Sequence, residues 1–180
     1  MIIEKTLLKD VFILNNFNVS DDRGVFVKTF NKNTFNELNL NFEIRESYFS
    51  ISKRNVIRGM HFQLPPHDHE KLVYVSKGAI LDVVVDLRKK SPTYRKYISV
   101  ELSDQNNKSI FIPKGFAHGF KSLLNDTITV YNVTSEYNTK ADTGIHYNSF
   151  GFDWEVDHPK ISQRDSVFSG LNNFLKNNPF

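Results

Sequence analysis

The residues that most clearly suggest a chemical role lie in the segment 58–63, which reads Arg-Gly-Met-His-Phe-Gln. Side chains alternate across a β-strand, so a strand here places His61 and Gln63 on one face and Arg58 on the other. An imidazole titrates near neutral pH, which suits a general base. His61 on the inner face of a barrel is therefore a candidate base, although a single strand histidine also serves as a packed core or surface residue.

Three further histidines raise the question of a metal site. His67 and His69 have the HxH spacing with which many cupins begin a divalent-ion site, and His118 is a candidate third ligand. Metal-binding cupins also place a Glu four or five residues after the second His. Val73 and Tyr74 stand there, and neither ligates a divalent ion. The sequence therefore predicts no metal site and no other cofactor.

The C-terminal half adds three side chains that gain meaning only in combination. Tyr131 and Tyr137 lie on or just after a predicted strand, where a tyrosine usually packs. Asp165 lies near a predicted helix start, where an aspartate usually caps. None of the three indicates chemistry by itself.

Many short strands and few helices are predicted to position these residues. Aromatic and β-branched residues recur in short runs separated by turn residues, which predicts an all-β sandwich or barrel. Short helices are predicted over 32–38, capped by Asn33 or Thr34, and from near Ser162 towards Leu175, with residues 172–178 frayed. The predicted strands are 11–17, 25–30, 42–52, 56–63, 71–77, 79–86, 97–102, 108–112, 117–122, 127–133 and 144–146.

Composition narrows the class of protein. The 180 residues fit a single domain spanning 1–180, and the absence of cysteine excludes disulfides, thiolate metal sites and thiol catalysis. The charged N-terminus lacks a signal-peptide pattern and no stretch is long enough to span a membrane, so a cytoplasmic protein is predicted. The net charge is only +3, with basic residues scattered among acids, which predicts neither a nucleic-acid nor a membrane partner.

Taken in order, these segments resemble the dTDP-4-dehydrorhamnose 3,5-epimerase family, a metal-free branch of the cupins. Each motif is weak alone, and the ordered set is specific. The resemblance implies a cupin-type jelly-roll fold and a homodimer in which N-terminal strands add to the partner's sheet. The matching segments are 22–24 (Asp-Arg-Gly), 58–63, 71–73 leading to Gly78, 82–88, 91–93 (Ser-Pro-Thr), 113–120, Tyr131, Tyr137, 144–145 and 162–165.

The chemistry that the resemblance implies is epimerisation beside a ketone. A C4 carbonyl acidifies the hydrogens on C3 and C5 of a nucleotide-diphospho-4-keto sugar, so inversion needs a base, a proton donor on the opposite face and stabilisation of the enolate. The resemblance implies His61 as the base with Asp165 as its partner, Tyr131 as the acid and Lys71 as the cation near the C4 oxygen. It implies that the substrate-binding residues are Arg23, Phe26, Lys28, Glu46, Tyr48, Arg58, Gln63, His118 and Tyr137.

Two departures from the family pattern bear on the substrate. Members that use a dTDP sugar commonly show Gln-x-Asn where Glu46-Ser47-Tyr48 stands, and a Glu where Lys28 stands. These substitutions resemble the branch of GDP-linked 4-keto-heptose epimerases of bacterial capsule pathways, which the sequence favours. A dTDP-4-dehydrorhamnose 3,5-epimerase proper, a nucleotide-sugar 3,4-ketoisomerase, and a metal-binding or non-catalytic sugar-binding cupin are the alternatives. The motifs do not distinguish inversion at C3, at C5 or at both.

Overall fold

All 180 residues are described in a computed structural model, and most of its regular structure is β-strand. The helices are α1 (Lys32–Glu37), α2 (Gln163–Ser166) and α3 (Leu171–Phe174), the last followed by a 3-10 turn (Leu175–Asn177). None of these helices has the length and apolar composition that a membrane crossing requires. The strands are β1 (Ile2–Lys5), β2 (Phe12–Asn15), β3 (Phe17–Asp21), β4 (Gly24–Lys28), β5 (Glu46–Ser52), β6 (Ile57–Gln63), β7 (Lys71–Lys77), β8 (Ala79–Asp86), β9 (Tyr97–Ser103), β10 (Lys108–Ile112), β11 (Phe116–Ser122), β12 (Thr127–Val133) and β13 (Asp142–Gly144).

The strands form two antiparallel sheets and a separate hairpin, which confirms the predicted all-β class. One sheet has six strands in the order β1-β2-β10-β7-β12-β5, and the other has five in the order β13-β6-β11-β8-β9. Strands that are distant in the chain are neighbours in each sheet, as in a jelly roll. The hairpin β3-β4 belongs to neither sheet.

The main core lies between the two sheets, where each contributes its inward-facing apolar side chains. The centre of β8 is buried throughout because its valines, Val83 to Val85, pack on both faces of the second sheet. Each fully buried aliphatic side chain contributes about 1.5–3 kcal/mol to stability. The largest cluster contains Leu8, Val11, Ile13, Val73, Val75, Ile80, Val84, Leu102, Ile110, Ile112, Phe116, Phe120 and Tyr131.

Three local predictions need correction. The cap of α1 is Asn31, whose Oδ1 accepts from the backbone N–H of Thr34 at 3.0 Å, so the cap lies two or three residues before the predicted Asn33 or Thr34. The C-terminus is not frayed, since the buried Asn178 amide donates to the carbonyl of Leu87 at 2.6 Å. The strands β1 and β3 were not predicted as separate elements, because neither is buried enough to show a clear pattern.

An irregularity in β6 overturns the predicted division of its side chains between two faces. Arg58 pairs with Phe120 and His61 pairs with His118, so three residue steps on β6 face two on β11. Such a bulge shifts the alternation by one residue. It lies at Gly59, whose φ of +136° suits glycine and which approaches β11 so closely that a Cβ would lie 2.5 Å from the Cα of Gly119.

Candidate functional site

A cavity of about 790 Å³ is the feature on which the predicted site residues converge. Its walls come from β5, β6, β7, β11 and β12, with β13 and the segment leading into α2 at its rim. Because of the bulge in β6, Arg58 lines this cavity together with His61, so their predicted separation on opposite faces is wrong. Ten of the predicted site residues line the cavity: His61, Lys71, Tyr131, Asp165, Glu46, Tyr48, Arg58, Gln63, His118 and Tyr137.

The other three predicted residues, Arg23, Phe26 and Lys28, do not line the cavity of their own chain. They lie on the hairpin β3-β4, where Phe26 is 59% exposed and the Arg23 guanidinium is paired with Asp21 at 2.6 Å. The hairpin is hydrogen-bonded to neither sheet, so nothing within one chain holds it over the cavity.

The shortest polar contact that reaches His61 is with Asp165, where its Nε2 lies 2.9 Å from Oδ1. The other carboxylate oxygen of Asp165 accepts from the backbone N–H of Gly59 at 3.1 Å, and Ser162 caps the helix from which Asp165 projects. Burial opposes ionisation of Asp165, but the hydrogen bonds from His61, Gly59 and Ser162 outweigh it and lower its pKa from 3.8 to about 2. Asp165 is therefore a carboxylate across the physiological pH range.

The environment of His61 keeps its imidazole neutral near pH 7. Burial lowers the pKa of His61 from 6.5, while the neighbouring Asp165 acts in the opposite direction. Since Asp165 is ionised, we assign the ring proton to Nε2, which donates to the carboxylate. No residue of the chain hydrogen-bonds to Nδ1, so this nitrogen is free to accept a proton from a molecule in the cavity.

Lys71 brings a positive charge to the same cavity from β7. Its side chain is buried, and its Nζ donates to the carbonyl oxygen of His61 at 3.1 Å. Burial lowers the pKa of Lys71 from 10.5 to about 8, against the opposing charges of Asp142 and Asp82. A charge held in a poorly solvated site stabilises a developing anion more strongly than a charge in water.

Tyr131 supplies a phenol to the cavity from β12. Burial raises the pKa of Tyr131 far above its ordinary value of 10.0, so the hydroxyl keeps its proton at neutral pH. The ring of His118 stands edge-on to Tyr131 with ring centres 6.2 Å apart, and His118 Nε2 lies 2.7 Å from Asp82 Oδ2. A neutral base, a protonated phenol and a buried cation therefore line one cavity, the set of groups needed to remove and return a proton beside a carbonyl.

Sequence reasoning assigned no site role to several polar residues of the cavity. Ser50, Asp142, Lys160 and Arg164 were missed, while His69 was considered only as a metal ligand and Ser162 only as part of a motif near a helix start. The Arg164 guanidinium lies 2.6 Å from Asp142 and 3.4 Å from Asp165, so it joins the rim of the cavity to the carboxylate that holds His61. Arg164 could have been predicted from the sequence, because it directly precedes Asp165. Asp142 could not, because it reaches the site through the pairing of β13 with β6.

The histidines considered as metal ligands have other partners. His69 Nδ1 lies 2.9 Å from the Ser135 hydroxyl and 3.2 Å from the Gln63 amide, and His67 Nε2 lies 3.2 Å from the Asn138 amide. Nowhere in the chain do three or more His, Cys, Asp or Glu side chains gather in a way that could hold a metal ion.

The family comparison covers nearly the whole chain. The family model described as dTDP-4-dehydrorhamnose 3,5-epimerase matches residues 5–173. The dTDP-4-dehydrorhamnose 3,5-epimerase of Methanothermobacter thermautotrophicus is 42% identical over 172 residues, which cover 93% of this chain and 92% of that protein. The similarity therefore extends over more than nine-tenths of both proteins and is not confined to one motif.

Solved structures show the same fold. The crystal structure of dTDP-4-dehydrorhamnose 3,5-epimerase from Bacillus anthracis, with TDP and PPi bound, superimposes with a TM-score of 0.91 at 36% identity, covering 94% of this chain and 98% of that chain. An epimerase from Legionella pneumophila in complex with dTDP-4-keto-L-rhamnose superimposes with a TM-score of 0.89 at 33% identity, covering 94% and 92%. The two-sheet architecture is thus the cupin sandwich of these epimerases, as predicted.

Proposed function

This chain belongs to the dTDP-4-dehydrorhamnose 3,5-epimerase family of cofactor-independent epimerases acting on nucleotide-linked 4-keto sugars, and from that premise we propose that its substrate is a dTDP-linked 4-keto-6-deoxy sugar. The enzyme inverts C3, C5 or both, the carbons that flank the C4 ketone. The observation that carries this proposal is the hydrogen-bonded pair of His61 and Asp165 in one cavity with Lys71 and Tyr131.

The choice of dTDP follows from the relatives. The similar proteins described above are named for dTDP-linked substrates, and two of the solved structures hold TDP or a dTDP sugar. The departures at Lys28, Glu46 and Tyr48 favour a GDP-linked 4-keto-heptose, whereas the relatives described above are named for dTDP-linked sugars. The GDP-heptose substrate stays a prediction, which the same experiment tests.

The proposed reaction has two proton transfers at each inverted carbon. Nδ1 of His61 removes the hydrogen from C3 or C5, and the electron pair of the broken C–H bond moves into the C4 carbonyl to give an enolate. The ammonium of Lys71 stabilises the enolate oxygen, and Asp165 stabilises the imidazolium. The phenol of Tyr131 then donates its proton to the carbon from the opposite face of the ring, and the C4 ketone forms again. The cycle closes when the imidazolium of His61 releases its proton to solvent and the Tyr131 phenolate takes one up.

Solvent deuterium distinguishes this proposal from its competitors. The enzyme is incubated in D₂O with a dTDP-4-keto-6-deoxyhexose and, separately, with a GDP-4-keto-heptose, and both reactions are followed by NMR. We expect deuterium at C3, C5 or both of the dTDP sugar, together with inverted product. Exchange confined to the GDP sugar would favour the capsule-type branch, and a product with a moved carbonyl would identify a ketoisomerase. Absence of exchange with every 4-keto sugar would refute the proposed chemistry.

We also propose that the active unit is a homodimer in which the β3-β4 hairpin of one chain completes the cavity of the other. The hairpin exposes Val25 and Phe26, each 59% exposed, and carries three predicted binding residues that do not reach the cavity of their own chain. The edge strand β5 beside the cavity exposes Phe49 and Ile51 at 64% and 55%. A second copy placed across this edge buries both apolar surfaces, which favours association.

A further inference from the structure

An aromatic stack on β5 and β12 lies beside the proposed proton donor. Tyr48 and Tyr131 are direct cross-strand partners, and their rings lie 4.9 Å apart at an interplanar angle of 20°. Cross-strand aromatic pairs fix each other's side-chain orientation. Tyr48 also stands at the position where the sequence departs from an asparagine, a residue that cannot form such a stack.

Tyr131 has two kinds of aromatic neighbour. His118 and Phe120, both on β11 and both buried, lie with their ring centres 6.2 Å and 6.5 Å from that of Tyr131. His118 is itself held by Asp82 at 2.7 Å. These two neighbours belong to the core, whereas Tyr48 comes from an edge strand and is 42% exposed.

One polar neighbour on β5 also acts on the Tyr131 phenol. Burial raises the pKa of Tyr131, and the hydroxyl of Ser50, on the same face of β5 as Tyr48, acts in the opposite direction. Ring packing and Ser50 therefore direct the phenol together, and Tyr48 is the most exposed of the aromatic neighbours of Tyr131.

We propose that Tyr48 is a positioning residue for the return of the proton: its ring holds the Tyr131 phenol against the face of the enolate, so that it governs inversion and not proton removal. The inference rests on the proposed function. Proton removal depends on His61 and Asp165, which lie on β6 and α2 and are hydrogen-bonded to each other and not to Tyr48. Return of the proton depends on the direction of the Tyr131 O–H bond, because proton transfer requires hydrogen-bond distance and alignment.

The two steps separate in D₂O. A base that exchanges its proton with solvent returns deuterium to the face from which it took hydrogen, which gives labelled but uninverted sugar. The side chain of His61 is 29% exposed, so exchange of its proton is available. Measuring the initial rates of deuterium entry and of inversion on one sample therefore reports on base and acid independently.

The experiment compares Tyr48→Phe, which keeps the stack, with Tyr48→Asn and Tyr48→Leu, which remove it. The probe is the 4-keto sugar that the wild-type enzyme labels. We expect Tyr48→Phe to keep the wild-type ratio of the inversion rate to the rate of deuterium entry, because it keeps the stack. We expect Tyr48→Asn and Tyr48→Leu to invert the sugar about tenfold more slowly than the wild type, the size of effect that the loss of one aromatic contact produces. The rate of deuterium entry should stay within about threefold of the wild-type rate. Melting temperatures identify any variant that fails to fold, and the Leu variant keeps the strand apolar.

Three results would overturn the inference. A parallel fall of deuterium entry and inversion would assign Tyr48 to substrate binding. Equal behaviour of Tyr48→Phe and Tyr48→Asn would make the hydroxyl and not the ring the active part. Inversion at the wild-type rate in a folded Leu variant shows that the stack has no role. If the wild-type enzyme labels no 4-keto sugar, the proposed function fails and this inference fails with it.

Discussion

His61 and His118 are direct cross-strand partners on β6 and β11, and each imidazole is hydrogen-bonded to a different carboxylate. Their exposures differ sharply, since the side chain of His61 is 29% exposed and that of His118 only 3%. His61 can therefore exchange protons with a bound sugar and with solvent, whereas His118 is packed against the ring of Tyr131. The pair of His61 and Asp165 therefore belongs to proton removal, whereas the pair of His118 and Asp82 supports the ring of Tyr131.

Replacing the base and the acid should give different defects. We expect His61→Asn to lower deuterium entry at both carbons by at least about 100-fold, because the group that removes the proton is gone. Tyr131→Phe should keep deuterium entry and lose inverted product. The exposed His158, which is not among the cavity residues, provides a matched control as His158→Asn with wild-type rates. Loss of deuterium entry in Tyr131→Phe would contradict the separation of roles.

Lys71 should produce an alkaline limb in the pH profile. Its ammonium is charged below its pKa of about 8 and neutral above it, so stabilisation of the enolate is present at low pH and lost as pH rises through about 8. We expect kcat to fall across that interval. Lys71→Met should have a lower plateau and no such limb, which is checked by rates measured from pH 6 to about 10. A limb that persists in Lys71→Met would assign it to another group.

Asp165 should determine both the maximal rate and the position of the acid limb in the dependence of the rate on pH. The carboxylate raises the pKa of His61 against the effect of burial, so its removal lowers that pKa further. We expect Asp165→Asn to shift the acid limb to lower pH and to lower the plateau about 100-fold or more, because an amide can hold the wrong tautomer of the imidazole. An acid limb that moves to higher pH would contradict the assigned pairing.

Subunit mixing tests whether the hairpin acts across the dimer. Arg23→Ala and His61→Asn should each be inactive as pure proteins. A mixed dimer has one cavity carrying both substitutions and one carrying neither, so we expect activity to return after the variants exchange subunits. The measurement is product formation before and after exchange, with dimer formation checked by light scattering. Failure to recover in a proven mixed dimer would place Arg23 in the site of its own chain.

Gly119 should tolerate no side chain. A Cβ at this position lies 2.7 Å from the Arg58 carbonyl oxygen and 2.7 Å from Met60 Sδ, because β6 and β11 approach closely at the bulge. We expect Gly119→Ala to lower the free energy of unfolding by about 1–3 kcal/mol, and Tm by about 2–10 °C. Gly170→Ala is the control, since its Cβ meets only the Ser149 side chain at 3.3 Å. Equal melting temperatures would contradict this account.

Local patterns were sufficient for the strands with strong β-branched runs. The predicted bounds 71–77, 79–86, 108–112 and 127–133 coincide with β7, β8, β10 and β12. The ordered motifs also brought together His61, Lys71, Tyr131 and Asp165, which come from four separate elements and share one cavity. These features follow from residue types and their order, both of which the sequence contains directly.

Features that depend on how strands pair were not predictable. The bulge in β6 arises because Gly59 and Gly119 let two backbones approach, and it moves Arg58 to the face predicted for His61 and Gln63. Asp142 enters the site because β13 pairs with β6 and sets it opposite Gln63. Alternation along one strand contains no information about such pairings.

Glu46, Tyr48 and Ser50 line the cavity from β5, an edge strand with a single sheet neighbour, while His61 and His118 lie on strands paired on both sides. A substitution on β5 disturbs one strand pairing, whereas a substitution on the inner strands disturbs two sheet contacts and the proton-transfer groups. Natural variation in ligand preference is therefore expected to accumulate at the positions of this edge that do not stack on Tyr131, such as Glu46, leaving the reactive centre unchanged. One scaffold of this kind can diversify its substrates over evolutionary time without reinventing its chemistry.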